Sequence, residues 1–202
     1  MSDHDLILAS ASPRRSQLLE QIGVRFKTEP ADIDEMRHAN EPVVDYVSRM
    51  AFEKAHKISQ NHPENTPVLG ADTIVLCDGD VFTKPENYEH ARAMLLALSD
   101  NCHQVLTSVA LVRKESSQVL VSTSQVWFRT ITETECLNYW CTGEPKDKAG
   151  AYAIQGYGAV FVKKIEGSFS GVVGLPLAET SELLSQFNVP IWGGLRELVA
   201  TV

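Results

Sequence analysis

Leu6-Ile7-Leu8-Ala9-Ser10-Ala11-Ser12-Pro13-Arg14-Arg15 reads as a buried strand that turns directly into a helix opening with two arginines. Leu6 to Ala9 is an apolar run of the length a core strand needs. Ser12 offers an N-cap side chain, and Pro13 suits the first helical position, where its missing N–H is no loss. Leu18, Leu19 and Ile22 then form one apolar stripe, and Gly23 falls where a left-handed C-terminal cap belongs. Arg14 and Arg15 occupy the first turn, where unpaired N–H groups and the macrodipole already present positive charge. A strand end, small residues and two guanidiniums at a helix N-terminus make a phosphate site; the alternative is that both arginines are solvated or paired with surface acids.

The next segments supply acids and a lysine. Val24 to Thr28 reads as a strand that leads to Asp32, Asp34 and Glu35, oxygen donors for a hard divalent cation or a solvated acidic loop. A long helix beginning at Glu41-Pro42 places Val44, Val47, Ala51, Ala55 and Ile58 on one stripe. Lys54 lies on that inward stripe and needs an anion or a route to water, whereas Arg49, Glu53 and Lys57 share the other side. Pro67 to Cys77 reads as a core strand with one carboxylate, Asp72, set inside it; that carboxylate must be paired, metal-bound or raised in pKa. Asp78-Gly79 is a hairpin signal that returns the chain through Val81 to Lys84, bringing Lys84 back towards Thr73 and Asp72.

The second half reads mainly as scaffold. A helix carries Ala91, Met94, Leu95 and Leu98 on one side, and Cys102–Val112 and Gln118–Thr130 form a hairpin across Lys114 to Ser117. Thr132 to Glu135 is a capping box for a helix with Leu137 and Trp140, ending near Gly143. The glycine-rich stretch from Asp147 to Gly158 lets backbone approach a flat ligand, and Gln155 within it offers a donor and an acceptor to a base edge. Ala159–Ile165 and Phe169–Val173 read as a last hairpin around Glu166-Gly167, and Pro176 opens a closing helix with Leu177, Leu183, Leu184 and Phe187 inside, before a short tail.

Composition narrows the classes. The chain has 202 residues, 44% hydrophobic and 22% charged, enough for one domain or two closely packed lobes, with no linker, repeat or low-complexity segment. Lys and Arg number 18 against 26 Asp and Glu, a net charge of −8 that disfavours a surface built to hold duplex nucleic acid but leaves room for a local basic pocket. Met1 to Asp5 has none of the regions of a signal peptide and no apolar run reaches membrane-spanning length, so a cytoplasmic protein with no membrane partner is expected. Cys77, Cys102, Cys136 and Cys141 show no C-x-x-C spacing, and nothing places any of the six histidines beside a nucleophile. A zinc site, a disulfide framework and a hydrolytic triad are thus unsupported.

Ser10 to Arg15, Glu53-Lys54-Ala55, Gly70 to Thr73, Thr83-Lys84-Pro85, Asp147 to Gly150 and Tyr152 to Gly158 together resemble the Maf family of nucleoside triphosphate pyrophosphatases, in the same order from about Leu6 to Phe187. Ala71-Asp72-Thr73 and Ile154-Gln155-Gly156, with both arginines present, resemble the branch acting on dTTP and UTP rather than the 7-methylguanosine triphosphate branch, which has Ser-Asp-Gln and Ser-Glu-Gly. Thr83 departs from the pattern, since many relatives have Glu there. The resemblance implies an α/β fold with a central mixed, strongly twisted sheet flanked by helices, two lobes with a cleft between them, one domain over residues 1–202, and a homodimer. It also implies hydrolysis to a nucleoside monophosphate and pyrophosphate with Mg2+ or Mn2+; that no nucleic acid is a stable partner is expected from the acidic charge balance. On this reading Asp72 is the catalytic base, Asp72 and Glu35 hold the metal, and Ser10, Arg14, Arg15, Lys54, Thr73, Lys84, Lys148 and Gln155 bind the substrate. Two competing classes are a non-enzymatic nucleotide- or nucleic-acid-binding regulator of cell division and an RNA-end binding module; the acidic balance weighs against the latter.

Overall fold

A computed structural model describes residues 4–114 and 116–193. Met1 to Asp3, Glu115 in the expected loop, and the tail beyond Gly193 lie outside the described residues. The described strands and α-helices are, in chain order, β1 (Leu6–Leu8), α1 (Pro13–Gln21), β2 (Phe26–Thr28), α2 (Val43–Ser59), β3 (Val68–Cys77), β4 (Asp80–Phe82), α3 (Tyr88–Leu98), β5 (Cys102–Arg113), β6 (Ser116–Phe128), α4 (Glu133–Cys141), β7 (Val162–Glu166), α5 (Phe169–Val173) and α6 (Leu177–Gln186). Seven strands form one mixed sheet in the order β2-β1-β3-β5-β6-β7, with β4 on β3. β1 is parallel to β2 and β3, whereas β4 runs antiparallel to β3 and β7 antiparallel to β6. No helix among the described residues is long and apolar enough to cross a membrane.

The chain divides into two compact units. The first comprises residues 1–72, 108–121 and 174–202; the second comprises residues 73–107 and 122–173. The core of the first unit includes Ile7, Ala9, Ala51, Ala55, Ile58, Val68, Ala110 and Val112. In the second unit, Leu95, Leu98 and Phe128 anchor a core into which His103 and Tyr152 are also drawn. His103 donates or accepts one hydrogen bond with the Tyr152 hydroxyl at 2.8 Å, and both rings stand edge-on to Phe128. Burial lowers the His103 pKa to about 4, so the ring is neutral near pH 7.

Several local expectations are met and several change. β1, α1 with Pro13 in its first turn, the left-handed Gly23 (φ +69°), β3 and the four buried residues of α3 stand as read. Asp78 and Gly79 both have positive φ, the requirement of a tight primed hairpin turn, and pair Cys77 with Asp80. Ser12 occupies the N-cap position of α1 without a side-chain cap bond; its N–H donates instead to the Ser10 hydroxyl at 3.2 Å. On α2 the buried stripe takes Tyr46 and Met50, while Val44 is 48% exposed. On α4 the capping box forms, but Cys136 and Tyr139 are buried and Leu137 faces out.

The expected last hairpin does not form. β7 pairs with β6, and Phe169–Val173 is a short helix whose start is held by Ser168, whose hydroxyl accepts the Gly171 N–H at 3.0 Å. Five residues with only Phe169, Val172 and Val173 as large apolar side chains fit a strand or a helical turn equally well, and the Ser168 bond favours the turn.

Candidate active site

The site grows from the contact between α2 and β3 in the first unit. Gly70 permits it: a Cβ there would meet the Ala51 carbonyl oxygen at 2.2 Å and the Ala55 nitrogen at 2.8 Å. The strand therefore lies close against one face of the helix, and Lys54, three residues after Ala51, comes to Asp72, two residues after Gly70. Lys54 Nζ donates to Asp72 Oδ1 at 2.7 Å and lies 2.7 Å from Glu35 Oε1. Both members of the Lys54–Asp72 pair are largely withdrawn from water, with side chains 10% and 13% exposed. Of the three outcomes open to a carboxylate inside an apolar strand, Asp72 has taken pairing.

Glu35 is brought there by backbone, not by helical spacing. The Tyr46 hydroxyl donates to the Glu35 carbonyl at 2.8 Å, and Arg49 Nη2 donates to the Met36 carbonyl at 3.0 Å. Arg49 is itself fixed by a two-pronged bond to the Glu41 carboxylate at 2.7 and 2.8 Å. That contact holds the Glu41 carboxyl down to about 2. These bonds turn an otherwise open acidic segment into an ordered one.

The strand-to-helix turn supplies the guanidiniums. Arg15 Nε donates to the Gly174 carbonyl at 2.8 Å and Nη1 to the Ser10 hydroxyl at 3.1 Å, so Ser10, itself buried, orients it. Burial lowers the Arg15 pKa, opposed by the field of Asp72 and reinforced by Arg14, with Glu35 also pulling it upward. Arg14, Arg15, Glu35 and Asp72 thus share one electrostatic neighbourhood in the first unit. Arg14 is half-buried in the first turn of α1.

The other expected residues belong to the second unit. Thr73 follows Asp72 on β3, with its hydroxyl 3.0 Å from that of Thr107, which also donates to the Gly171 carbonyl at 2.7 Å. The β3–β4 ladder stops at Phe82, so Lys84 is exposed on the strap beyond it rather than paired across the hairpin. The Thr83 carbonyl accepts the Gly150 N–H at 3.2 Å, which ties that strap to the turn carrying Lys148. Lys148 forms an ion pair with Asp147. Gln155 is exposed on a turn held by Tyr139 and Glu144. The sequence reading passed over Tyr46, Tyr139 and Glu144 and gave Arg49 only a surface role. The trace of the Tyr139–Glu144 pair in the sequence was Gly156, where a Cβ would meet the Glu144 carboxylate, and Gly158, where one would meet the Tyr139 hydroxyl.

Asp72 and Glu35 together offer hard oxygen donors converging on one position, now the Lys54 ammonium, and among the described residues no group of three or more His, Cys, Asp or Glu could hold a metal. Such a donor set fits a cation that keeps some of its waters and shares the rest of its shell with phosphate oxygens, as Mg2+ does.

A family model described as Maf-like protein matches residues 5–187. A dTTP/UTP pyrophosphatase of Saccharophagus degradans is 48% identical over 95% of this chain and 92% of its own length. Those of Hahella chejuensis and Escherichia coli are 48% and 50% identical, over 93% and 91% of this chain and 94% and 93% of theirs. A solved nucleoside-triphosphatase / dITP/XTP pyrophosphatase of Mycobacterium abscessus aligns over 98% of both chains at 15% identity with a TM-score of 0.44, a likeness too slight to argue from. A family match over nearly the whole chain and near-full-length relatives at about half identity decide the matter: the chain belongs to the Maf-like protein family.

Proposed function

We propose that the protein is a nucleoside triphosphate pyrophosphatase that hydrolyses dTTP and UTP to the monophosphate and pyrophosphate. The observation that carries this reading is the placement of Lys54 between Asp72 and Glu35, in a neighbourhood shared with Arg15, within a family whose near-full-length relatives are named dTTP/UTP pyrophosphatase. On this reading Arg14, Arg15 and Lys54 bind the triphosphate, with Lys84 and Lys148 adding positive charge. Asp72 accepts the proton of the water that attacks the α-phosphorus, while the bond from that phosphorus to the bridging oxygen breaks and pyrophosphate leaves. Asp72 and Glu35 would hold a divalent cation, Mg2+ or Mn2+. When bound, it would offset charge on the phosphate oxygens.

Arg14, Thr73 and Gln155 are assigned to the base. A Gln amide can give an N–H to a pyrimidine carbonyl and accept the ring N–H of uracil or thymine, whereas cytosine presents an amino group and an unprotonated ring nitrogen at those positions. An arginine near the base also repels the cationic 7-methylguanine ring. The reading carries with it one domain over residues 1–202, a homodimer, a cytoplasmic location and no stable nucleic-acid or membrane partner. The test is kcat/KM for dTTP, UTP, CTP and 7-methylguanosine triphosphate, in wild type and in Gln155→Glu. The first two should lead by at least about tenfold, the scale on which a site built to hydrogen-bond its ligand rejects a mismatch, and Gln155→Glu should erode that lead. A wild type that prefers the methylated purine, or an unchanged ranking in the variant, contradicts the assignment.

A further inference from the structure

Glu144 lies outside the cation cluster, and its carboxylate is turned inward. It begins a 3-10 turn, Glu144–Asp147, just after the left-handed Gly143. Its Oε1 accepts the Tyr139 hydroxyl at 2.7 Å and the Gly158 N–H at 2.9 Å, while Oε2 accepts the Tyr157 N–H at 2.9 Å. The Tyr139 hydroxyl, from the last turn of α4, also accepts the Ala153 N–H at 3.0 Å. One Tyr–Glu pair therefore fastens the backbone on both sides of Gln155, at Ala153 before it and at Tyr157 and Gly158 after it. Burial works to raise the Glu144 pKa, but the bonds from Tyr139, Gly158 and Tyr157, together with the field of Lys148, outweigh it and hold the carboxyl below its ordinary range.

The glycines of this stretch have a reason that is visible in the same contacts. A Cβ at position 156 would sit 1.9 Å from Glu144 Oε2, and one at position 158 would sit 2.6 Å from the Tyr139 oxygen. Gly156 and Gly158 admit the protein's own carboxylate and phenol to the backbone, a role that the sequence reading did not foresee for them. What the arrangement leaves exposed is the Gln155 side chain, with Tyr157 beside it, 68% exposed.

We propose that Glu144 and Tyr139 are positioning residues that set the selectivity for the base by holding the Ala153–Gly158 backbone, and so Gln155, in one conformation. The inference rests on the base-reading role assigned to Gln155 above. An amide discriminates donor from acceptor only while its backbone is fixed; on a loose turn it can rotate to satisfy either pattern. Hydrogen bonds to an ionised carboxylate are about twice as strong as neutral ones, so the charge on Glu144 matters as well as its shape.

The experiment compares kcat/KM for UTP, CTP and ribose triphosphate in wild type, Glu144→Gln and Tyr139→Phe, with thermal unfolding as the check on folding. Glu144→Gln keeps the side chain's size but replaces one acceptor oxygen with a donor, so one of the three incoming bonds is lost. Tyr139→Phe removes only the hydroxyl and carries the test if Glu144→Gln does not fold. In both variants the UTP-to-CTP ratio should fall about tenfold, the scale of one lost charge-assisted bond, while hydrolysis of the base-free triphosphate falls far less than that of UTP. Equal losses for UTP, CTP and ribose triphosphate, with the ratio intact, would show a merely structural pair and overturn the inference alone. A wild type with no preference for UTP over CTP would overturn the base-reading role of Gln155 and this inference with it.

Discussion

Lys54 is held by two carboxylates, and that fact governs what its substitutions do. An ammonium largely withdrawn from water and paired with both Asp72 and Glu35 cannot be removed without leaving two acids facing each other, and deletion of one member of such a pair costs about 3–5 kcal/mol. Lys54→Ala therefore mixes loss of folding with loss of phosphate binding. Asp72→Asn is the cleaner probe, because Lys54 keeps Glu35 as its counter-charge and the side-chain shape is preserved. Removing the base should lower turnover by about 10²–10⁴-fold, the usual contribution of a positioned acid–base group, with Tm little changed. A folded Asp72→Asn variant with near-normal turnover would remove Asp72 from the mechanism. Arg15 is held in part by neutral oxygens, those of Ser10 and Gly174.

At the scale of elements, the site depends on how closely β3 approaches α2. Gly70 is the residue that permits it, since a methyl there would drive into the Ala51 carbonyl. Gly70→Ala should destabilise the fold by about 1–3 kcal/mol, the range for overpacked interiors, which corresponds to about 2–4 °C of Tm for each kcal/mol. It should also lower kcat by separating Lys54 from Asp72. Thermal unfolding and turnover on the same preparation check this, and an unchanged Tm with full activity would mean that the approach is not needed. Periodicity made much of this contact legible: a lysine on an inward helical stripe and a carboxylate in a core strand each demanded a partner, and they found each other. The position of Glu35 was not legible, because it depends on hydrogen bonds from Tyr46 and Arg49 to the backbone of an irregular segment. The Tyr139–Glu144 pair was missed for the same reason, as its contacts run through turns in which side-chain spacing has no fixed period. The segment Phe169–Val173 was misread because its length is below that at which apolar pattern separates strand from helix.

At the scale of the whole molecule, the two compact units interleave along the chain, which crosses between them after residues 72, 107, 121 and 173. The first three crossings fall within β3, β5 and β6, so no change of composition and no linker marks them in the sequence. The strand and helix order was readable from apolar pattern and turn residues; the sheet order, which depends on pairings between strands far apart in sequence, was not, and the family resemblance implied only that the sheet is central, mixed and strongly twisted. The central claim is attack at the α-phosphorus with pyrophosphate leaving as one group. The measurement that tests it most directly is hydrolysis of UTP in water enriched in heavy oxygen, followed by phosphorus NMR. The label should enter the UMP phosphate and the accompanying pyrophosphate should carry none. Orthophosphate as the first product, or label in the pyrophosphate, would contradict it.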